Sequence, residues 1–489
     1  MREESKISRR SFLKNSALAG AIGTVGAGNA VFLTSCEGKN KLVPLREPGT
    51  YYTPELPDLA ADGKPLKAGV VGCGGRGTGA AINFLSAANG VTVVALGDTF
   101  ADRVESCAEA LKKEKNIDIA ADRKFVGLDA YKKVIDSDID VLITATPPCF
   151  RPEIFRYAVE KGKHAFLEKP VCVDAAGYRT IVAASKQAQA KGLSVVTGTQ
   201  RHHERGYVES YKKVMEGLIG EITGGNVYWN GGELWSRYRQ KGWSDLEWMI
   251  RDWVNWTWLS GDHIVEQHVH NIDVFTWFSG LRPISAVGFG SRQRRQTGNQ
   301  YDNFSVDFEF ENGIHLHSMS RQISNCSGNV SEIIHGTKGV WYSEGRIEQG
   351  EADETGKAME KPFQGKVIKN LKGEVIWKYD REAEKATYKQ RDPYTLEHVN
   401  WINHIRSGKP IEQASETAVS NMAAIMGRES AYTGKLINWD DMTAAAQNLI
   451  PEDLDFVKKL GIAGYGDDTP FRLPEFIPIP GKPQGNQTR

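Results

Sequence analysis

The stretch Pro65–Leu85, PLKAGVVGCGGRGTGAAINFL, decides the fold of this chain. It contains a short apolar run, a turn that carries Gly72, Gly74 and Gly77, and the start of a helical pattern. Glycines at this spacing permit a tight turn, let a pyrophosphate approach the backbone, and let a helix pack closely on a strand. The sequence therefore predicts a strand, a phosphate-binding turn and a helix whose N-terminus faces the phosphates.

A second apolar run, Val91–Leu96, leads to Asp98, at about the 20-residue spacing from the turn that is typical of a carboxylate binding the adenosine ribose of a dinucleotide. A glycine-rich turn that served packing alone would leave this carboxylate unexplained. Asp98 favours NAD, because its charge would repel the additional phosphate of NADP. Gly75 and Arg76 complete the predicted phosphate-binding turn.

Length and composition indicate a globular protein with two domains. The 489 residues exceed the roughly 250–300 residues at which a single core stops growing. The 61 basic residues balance the 61 acidic ones and form no long basic run, so we do not expect nucleic acid as a partner. The six cysteines lack the paired spacing of a disulfide framework or a zinc site.

The first 36 residues resemble an export signal. Ser8-Arg9-Arg10-Ser11-Phe12-Leu13-Lys14 precedes a glycine-rich apolar stretch, which is similar to a twin-arginine signal, and Leu33-Thr34-Ser35-Cys36 is similar to a lipoprotein box. Cleavage before Cys36 would leave a lipidated cysteine and a protein anchored to the cell envelope, facing the periplasm. Cleavage without lipidation, or a retained anchor, is the alternative. Residues 37–64 are polar and punctuated by proline, which predicts a tether.

From Pro65 onward, short apolar strands alternate with helical patterns, as in a parallel sheet with helices on both faces. Three later strands are followed by Thr146-Pro147, by Glu168-Lys169-Pro170 and by Gln200-Arg201-His202-His203. Ligands of open parallel sheets bind beyond the carboxyl ends of the strands. We therefore expect Asp98, Thr146, Lys169 and Gln200 to converge on one cleft.

The glycine turn, the Ala145-Thr146-Pro147-Pro148 loop and Glu168-Lys169-Pro170 together resemble the Gfo/Idh/MocA oxidoreductase family, over about Pro65–Asp441. The resemblance implies a Rossmann domain with a doubly wound parallel sheet, then an α+β domain with a large, mostly antiparallel sheet. We place these domains at residues 65–200 and 201–447, with a proline-rich tail at 448–489. It also implies NAD as cofactor, with Thr146, Pro147, Glu168 and Lys169 in its site. Family members are sugar, inositol and glycoside dehydrogenases that commonly pair through the open face of the second sheet, so a homo-oligomer is expected.

Gly261–Asp273, GDHIVEQHVHNID, carries the second group of candidate residues. The family pattern D-x-x-x-H-x-x-D on a helix corresponds here to Glu266, His270 and Asp273. Glutamate replaces the usual aspartate, and His268 stands where glycine is common. Both departures bear on which substrate and reaction the resemblance implies, and not on the family itself. On a continuous helix, Glu266 and His270 are four residues apart and share one face.

The chemistry expected of an alcohol dehydrogenase assigns a role to each of these residues. His270 is the predicted general base, because an imidazole titrates near the operating pH. Glu266 would orient its ring, and Lys169, as the resemblance implies, would stabilise negative charge on the reacting oxygen. Gln200, Arg201, His203 and Asp273 are predicted to contact the substrate.

A metal site is the alternative for this segment. On a strand, Glu266, His268 and His270 would share a face and could bind zinc. On a helix, His268 points away from the other two, so we predict no metal. Seven tryptophans lie between Trp229 and Trp258; most are expected to fill the core, and a minority to stack on a sugar ring.

The predicted function is NAD-dependent oxidation of a ring hydroxyl of a sugar or glycoside in the periplasm. Free NAD is scarce there, so the protein would be exported folded around a tightly held cofactor, and its electron acceptor is left open. One alternative is a redox-neutral glycosidase or lyase, like the family branch that cleaves α-N-acetylgalactosamine linkages. Another is a sugar-binding relative without catalysis, which the presence of both Lys169 and His270 disfavours.

Overall fold

The structure is a computed structural model that describes residues 44–47, 49–343, 349–352, 358–360, 365–451, 477, 478 and 480. The predicted export signal with Cys36 lies outside these residues, as does most of the predicted tail. Within the described ranges, no helix has both the length and the apolar character needed to cross a membrane.

The first domain is built on a six-stranded parallel sheet in the order β3-β2-β1-β4-β5-β6. Its strands are β1 (Leu66–Val71), β2 (Val91–Asp98), β3 (Lys124–Val126), β4 (Val141–Thr144), β5 (His164–Leu167) and β6 (Val195–Thr197). Its helices are α1 (Gly75–Ala87), α2 (Ala101–Lys115), α3 (Ala130–Ile135), α4 (Arg151–Glu160) and α5 (Ala175–Ala190). The direction of winding reverses between β1 and β4, which is where ligands bind in such sheets.

Hydrophobic clusters cover both faces of this sheet. Neighbouring residues of a strand point to opposite faces: Val70 packs in the cluster with α1 and α2, and Val71 packs in the cluster with α3 and α4. The predicted Rossmann fold is therefore confirmed.

The second domain contains a nine-stranded sheet in the order β16-β15-β12-β11-β7-β10-β9-β8-β17. The strands are β7 (Ile222–Gly231), β8 (Pro283–Ser291), β9 (Asn303–Phe310), β10 (His315–Gln322), β11 (Asn329–Gly336), β12 (Gly339–Tyr342), β15 (Val367–Asn370), β16 (Val375–Lys378) and β17 (Ile437–Asn438). A separate pair comprises β13 (Gln349–Ala352) and β14 (Ala358–Glu360). Of the described pairings in the large sheet, that of β7 with β10 is parallel and the others are antiparallel, which confirms the predicted mostly antiparallel sheet.

Nine helices of the described chain follow the first domain. They are α6 (Arg205–Met215), α7 (Asp245–Arg251), α8 (Thr257–Ser260), α9 (His263–Glu266), α10 (Val269–Ser279), α11 (Arg381–Thr387), α12 (Pro393–Ser407), α13 (Ala414–Thr433) and α14 (Trp439–Ala444). Helices α10 and α13 cover one face of the large sheet. Helix α12 returns to the first domain, where Trp401 and Leu396 are buried against α1.

The described part of the predicted tether is docked on the protein surface instead of hanging free. The Leu45 N–H donates to the Met215 carbonyl at 2.8 Å, and the Ala60 N–H donates to the Ala87 carbonyl at 2.8 Å. Leu56 and Ala60 are buried in the core of the first domain. A few apolar side chains and backbone hydrogen bonds therefore hold this segment, although its average composition is polar.

Candidate active site

The four glycines of the turn divide into two that the fold requires and two that face open space. Gly72 has φ +88°, and a Cβ there would lie 2.6 Å from the Thr146 nitrogen. A Cβ on Gly77 would lie 1.7 Å from the Gly72 carbonyl oxygen. Helix α1 can therefore pack this closely on the turn only because residue 77 is a glycine. A Cβ on Gly74 or Gly75 would meet no protein atom within 4 Å. The turn therefore has the geometry of a phosphate cradle.

A cavity of about 650 Å³ opens beside this turn. Its walls include Gly74, Gly75, Asp98, Thr146 and Pro147, at the carboxyl ends of β1, β2 and β4. Helix α1 starts at Gly75 without a side-chain cap, so its first N–H groups are available to an anion. The residues present fit a dinucleotide with its pyrophosphate at the turn.

The Asp98 carboxylate links the end of β2 to the glycine turn. One oxygen accepts a hydrogen bond from the Cys73 N–H at 2.7 Å, and the other accepts from the Phe100 N–H at 3.0 Å. Burial raises the pKa of this carboxyl. Each carboxylate oxygen has a second acceptor site, which leaves Asp98 able to bind ribose hydroxyls in the cavity it lines.

Arg76 is held in the cavity wall by two carboxylates. Its Nε donates to Glu168, and its Nη2 donates to Glu397 at 2.9 Å. Glu168 also accepts from the Lys169 N–H at 3.0 Å. Arg76 and Glu168, both predicted to serve the cofactor, therefore form a fixed pair that leads directly to Lys169.

Lys169 and Glu266 form an ion pair between the two domains. The Lys169 ammonium donates to Glu266 Oε1 at 3.0 Å and also to the Glu266 carbonyl. The side chains are 13% and 12% exposed, respectively. An ammonium has three N–H donors, so one remains available to another acceptor.

The continuous helix expected around Glu266 is interrupted. Helix α9 ends at Glu266 and α10 begins at Val269, with Gln267 at φ −115° and ψ −52°. His268 lies in the break, and its Nε2 is hydrogen-bonded to the Ser318 hydroxyl of β10 at 2.7 Å. The argument from an i, i+4 face therefore does not apply, and Ser318 of β10 is a hydrogen-bond partner that a glycine at position 268 would not reach.

His270 lies in the first turn of α10 and is buried. Its ring stacks on Trp229 with 5.8 Å between ring centres and 21° between planes. Burial, followed by the charges of Lys169 and Arg201, lowers its pKa well below the ordinary value for histidine. The imidazole is consequently neutral at pH 7 and able to accept a proton.

The predicted substrate residues divide between the neighbourhood of His270 and other surroundings. Arg201 is ion-paired with Glu332, and its guanidinium lies 5.9 Å from the centre of the Trp229 ring. Gln200 Oε1 is buried without a hydrogen bond to any described residue, which leaves an acceptor for a hydroxyl. Arg201 therefore lies near His270, because both contact Trp229, and Gln200 is the residue before it in the chain.

His203 and Asp273 have contacts of another kind. Asn400 Nδ2 of α12 donates to His203 Nε2 at 3.1 Å, and burial lowers the pKa of His203 to about 3. Asp273 accepts from His202 Nε2 at 2.7 Å and from the Ser420 hydroxyl at 2.8 Å. Side chains of the short 3₁₀ helix Gln200–His203 point in different directions. Sequence order alone therefore does not tell which of them reaches the cleft.

Several cavity residues were not predicted from the sequence. Trp235, Arg237 and Trp253 of the second domain and Arg103 of α2 all line the cavity beside Asp98. The cluster of tryptophans was a signal, but most were predicted to fill the core and a minority to form a sugar site, whereas Trp235 and Trp253 line the predicted cofactor cavity. Among the described residues, no three or more His, Cys, Asp or Glu side chains form a group that could hold a metal ion.

Comparison with known proteins agrees with this geometry. The sequence model of an oxidoreductase family with an NAD-binding Rossmann fold matches residues 66–197, and that of the C-terminal alpha/beta domain of the same family matches residues 212–438. One similar solved structure is that of scyllo-inositol dehydrogenase from Lactobacillus casei with bound NAD(H) and scyllo-inositol. The match covers 77% of this chain and 100% of that chain, with a TM-score of 0.56 and 18% identity. That likeness concerns the fold.

Curated relatives include proteins with different names. A glycosyl hydrolase family 109 protein of *Streptomyces coelicolor* is 30% identical over 46% of this chain and 45% of its own length. The chain thus spans about half the length of that relative. Scyllo-inositol 2-dehydrogenase (NAD(+)) of *Bacillus subtilis* is 24% identical over 56% of this chain and 72% of its own. A 2,7-anhydro-N-acetylneuraminate hydratase of Escherichia coli is 25% identical over 46% of this chain and 57% of its own length.

The two family matches together cover most of the chain, in the order and at the places of its two observed domains. The chain therefore belongs to the Gfo/Idh/MocA oxidoreductase family, and its first domain is an NAD-binding Rossmann domain.

Proposed function

We propose that this protein uses tightly held NAD to oxidise a ring hydroxyl of a sugar or glycoside. The observation that carries the proposal is the Lys169–Glu266 pair beside the neutral imidazole of His270, with Lys169 following β5 and joined through Glu168 to Arg76 in the wall of the NAD cavity. Lys169 is thus joined to the wall of the cofactor cavity by direct contacts, and its charge acts on the neutral imidazole of His270.

The proposed mechanism divides the reaction between the cofactor and the protein. Bound NAD supplies the acceptor for hydride. His270 takes the proton of the substrate hydroxyl, because its imidazole is kept unprotonated by burial and by neighbouring cations. The third N–H of Lys169 donates to the same oxygen and stabilises its developing negative charge. Glu266 holds the ammonium in place through its carboxylate and carbonyl oxygens.

The choice of a sugar or polyol as substrate is supported by the polar groups near His270. Arg201 is near enough for its charge to act on His270, and Gln200, the preceding residue, has a free acceptor for a hydroxyl. The similarity to an inositol dehydrogenase agrees with this class of substrate. Removing one of several hydrogen-bond partners of a polyhydroxylated ligand should weaken binding without abolishing it.

A second candidate function is redox-neutral cleavage of a glycoside. The glycosyl hydrolase family 109 relative and the hydratase relative favour it. The same base and lysine would then serve a transient oxidation, an elimination that releases the aglycone, addition of water to the unsaturated ring, and a reduction that restores the sugar hydroxyl and the oxidised cofactor. In this alternative, no reduced cofactor accumulates.

The decisive experiment incubates the purified, NAD-loaded protein with a panel of sugars and glycosides. Lasting absorbance of reduced nicotinamide with an oxidised sugar would support the dehydrogenase. Products split at the glycosidic bond without net reduction would support the redox-neutral cycle. Sugar binding without either product would refute both enzymatic proposals and favour a sugar-binding relative.

We also propose that the protein is exported in folded form and anchored by lipid at Cys36, on the support of Arg9, Arg10 and the Leu33–Cys36 segment. Retention of NAD follows from that location, since a lost cofactor could not be replaced there. Mass spectrometry of the N-terminal peptide from envelope fractions would test the anchor. Recovery of the intact, unlipidated N-terminus from the cytoplasm would contradict it.

A further inference from the structure

A helix of the second domain lines the predicted cofactor cavity near Asp98. Arg251, the last residue of α7, donates from Nη1 and Nη2 to the two carboxylate oxygens of Asp102, at 3.1 Å each. Its guanidinium also lies 3.9 Å from the centre of the Phe100 ring. Both partners follow Asp98 closely in sequence, so the contact lies beside the predicted ribose carboxylate.

The loop before α7 brings further side chains into the same cavity. Trp235 and Arg237 line it together with Trp253, which follows the helix. The Arg237 carbonyl accepts from Trp248 Nε1 at 2.6 Å, and the Arg237 N–H donates to Asp252 at 2.7 Å. Loop and helix are therefore tied together, and the Arg251–Asp102 pair fixes both to the first domain.

The charges around this part of the cavity favour an anionic ligand. Arg103 and Arg237 line the cavity, and neither has an ion-pair partner among the residues that the structure describes. Burial and the repulsion of Arg103 and Arg251 lower the pKa of Arg237. An anion bound between these guanidinium groups would relieve that repulsion.

We propose that residues 235–253 form a cofactor clamp, in which Trp235, Arg237 and Trp253 contact the adenosine diphosphate half of NAD and the Arg251–Asp102 pair must open before NAD leaves. The inference rests on the proposed function in taking NAD as a ligand that is tightly held. It adds binding residues from the second domain and makes the tight retention of NAD a property of one ion pair between the domains.

The test measures the dissociation rate of NAD and does not depend on turnover. Protein loaded with the fluorescent analogue etheno-NAD is mixed with excess unlabelled NAD, and release is followed by fluorescence. Asp102→Asn removes the bidentate partner of Arg251, and we expect about tenfold faster release. Glu105→Gln is the matched control: Glu105 also lies on α2 and forms an ion pair, with Lys124 at 2.7 Å, but within the first domain. Its release rate should equal that of the wild type.

Two additional measurements separate the clamp from a general loss of structure. The exchange Asp102→Arg with Arg251→Asp, made together with Glu247→Gln, should restore slow release, because it re-forms the pair in reverse without placing two carboxylates side by side on α7. High salt should speed release from the wild type by a larger factor than from Asp102→Asn, since the partly exposed ion pair is screened in addition to the contacts of Arg103 and Arg237 with NAD that both proteins share.

The clamp is overturned if Asp102→Asn releases the analogue at the wild-type rate, or if Glu105→Gln accelerates release equally. Either result leaves the proposed dehydrogenase intact. A wild-type protein that fails to bind NAD would instead refute both proposals.

Discussion

Lys169 is the residue through which the two domains share one site. Its backbone follows β5 of the first domain, and its ammonium is bound by Glu266, at the end of α9 in the second. It also lowers the pKa of His270, which lies beyond the helix break. In the proposed mechanism this cation would serve twice, as a donor to the substrate oxygen and, together with burial, as a cause of the lowered pKa of His270.

The pH dependence of the reaction should reveal this double role. We expect the acid limb of kcat/KM to lie below pH 6.5, the unperturbed value for histidine, because burial and nearby cations lower the pKa of His270. Lys169→Met removes one of those cations, so the pKa of His270 rises and the acid limb of the residual activity moves to higher pH. Lys212→Met, which alters a half-exposed lysine of α6, should leave the profile unchanged.

His270→Gln should lower kcat by about 10²–10⁴-fold, the usual contribution of a general base. NAD retention should not change, because the cavity walls that hold the cofactor do not include His270. Steady-state kinetics and the nucleotide content of the purified variant provide the two measurements. Wild-type activity in this variant would remove His270 from the mechanism.

At the scale of elements, sequence patterns predicted the strand–turn–helix units and the strand ends that carry Asp98, Thr146 and Lys169. These features depend on local rules of glycine spacing and strand periodicity. The break at Gln267 and His268 could not be predicted in the same way, since the partner of His268 is Ser318, fifty positions away on β10. The clamp and the docked segment before Pro65 likewise depend on contacts between distant parts of the chain.

The glycine turn allows its binding and folding roles to be separated experimentally. Gly74→Ala adds a methyl group where no protein atom lies within 4 Å, at an ordinary φ of −70°, so the free energy of unfolding should change by less than about 1 kcal/mol. The same methyl occupies the space of the pyrophosphate, and NAD affinity should fall at least about tenfold.

Gly77→Ala should have the opposite effects: it should lower the free energy of unfolding more than it weakens NAD binding. Its Cβ would lie 1.7 Å from the Gly72 carbonyl oxygen, so α1 must move away from the turn. Overpacking of this kind costs about 1–3 kcal/mol. Urea unfolding combined with NAD titration compares the two variants; equal stability of both, with normal NAD binding by Gly74→Ala, would contradict the described turn.

At the scale of the whole molecule, the large sheet has two unlike faces. Val306, Phe308 and Leu316 are buried beneath helices. On the opposite face, the strand register aligns Phe289 of β8, Ser305 of β9 and Met319 of β10 in one row. Phe289 is 73% exposed and Met319 38%. Strand alternation predicts which residues share a face, but it does not reveal what covers the second face.

A second copy of the chain is the occupant we expect on this open face, as the family resemblance implies. Phe289→Lys would place a charge in the buried row of such an interface, where an unpaired charge is strongly unfavourable, and should shift the protein to monomers. Leu371→Lys is the control, because Leu371 is also apolar and 69% exposed but lies in the turn between β15 and β16. Native mass spectrometry gives the subunit number of each. A wild-type protein that is monomeric, or a Phe289→Lys variant with an unchanged subunit number, would exclude pairing through this row.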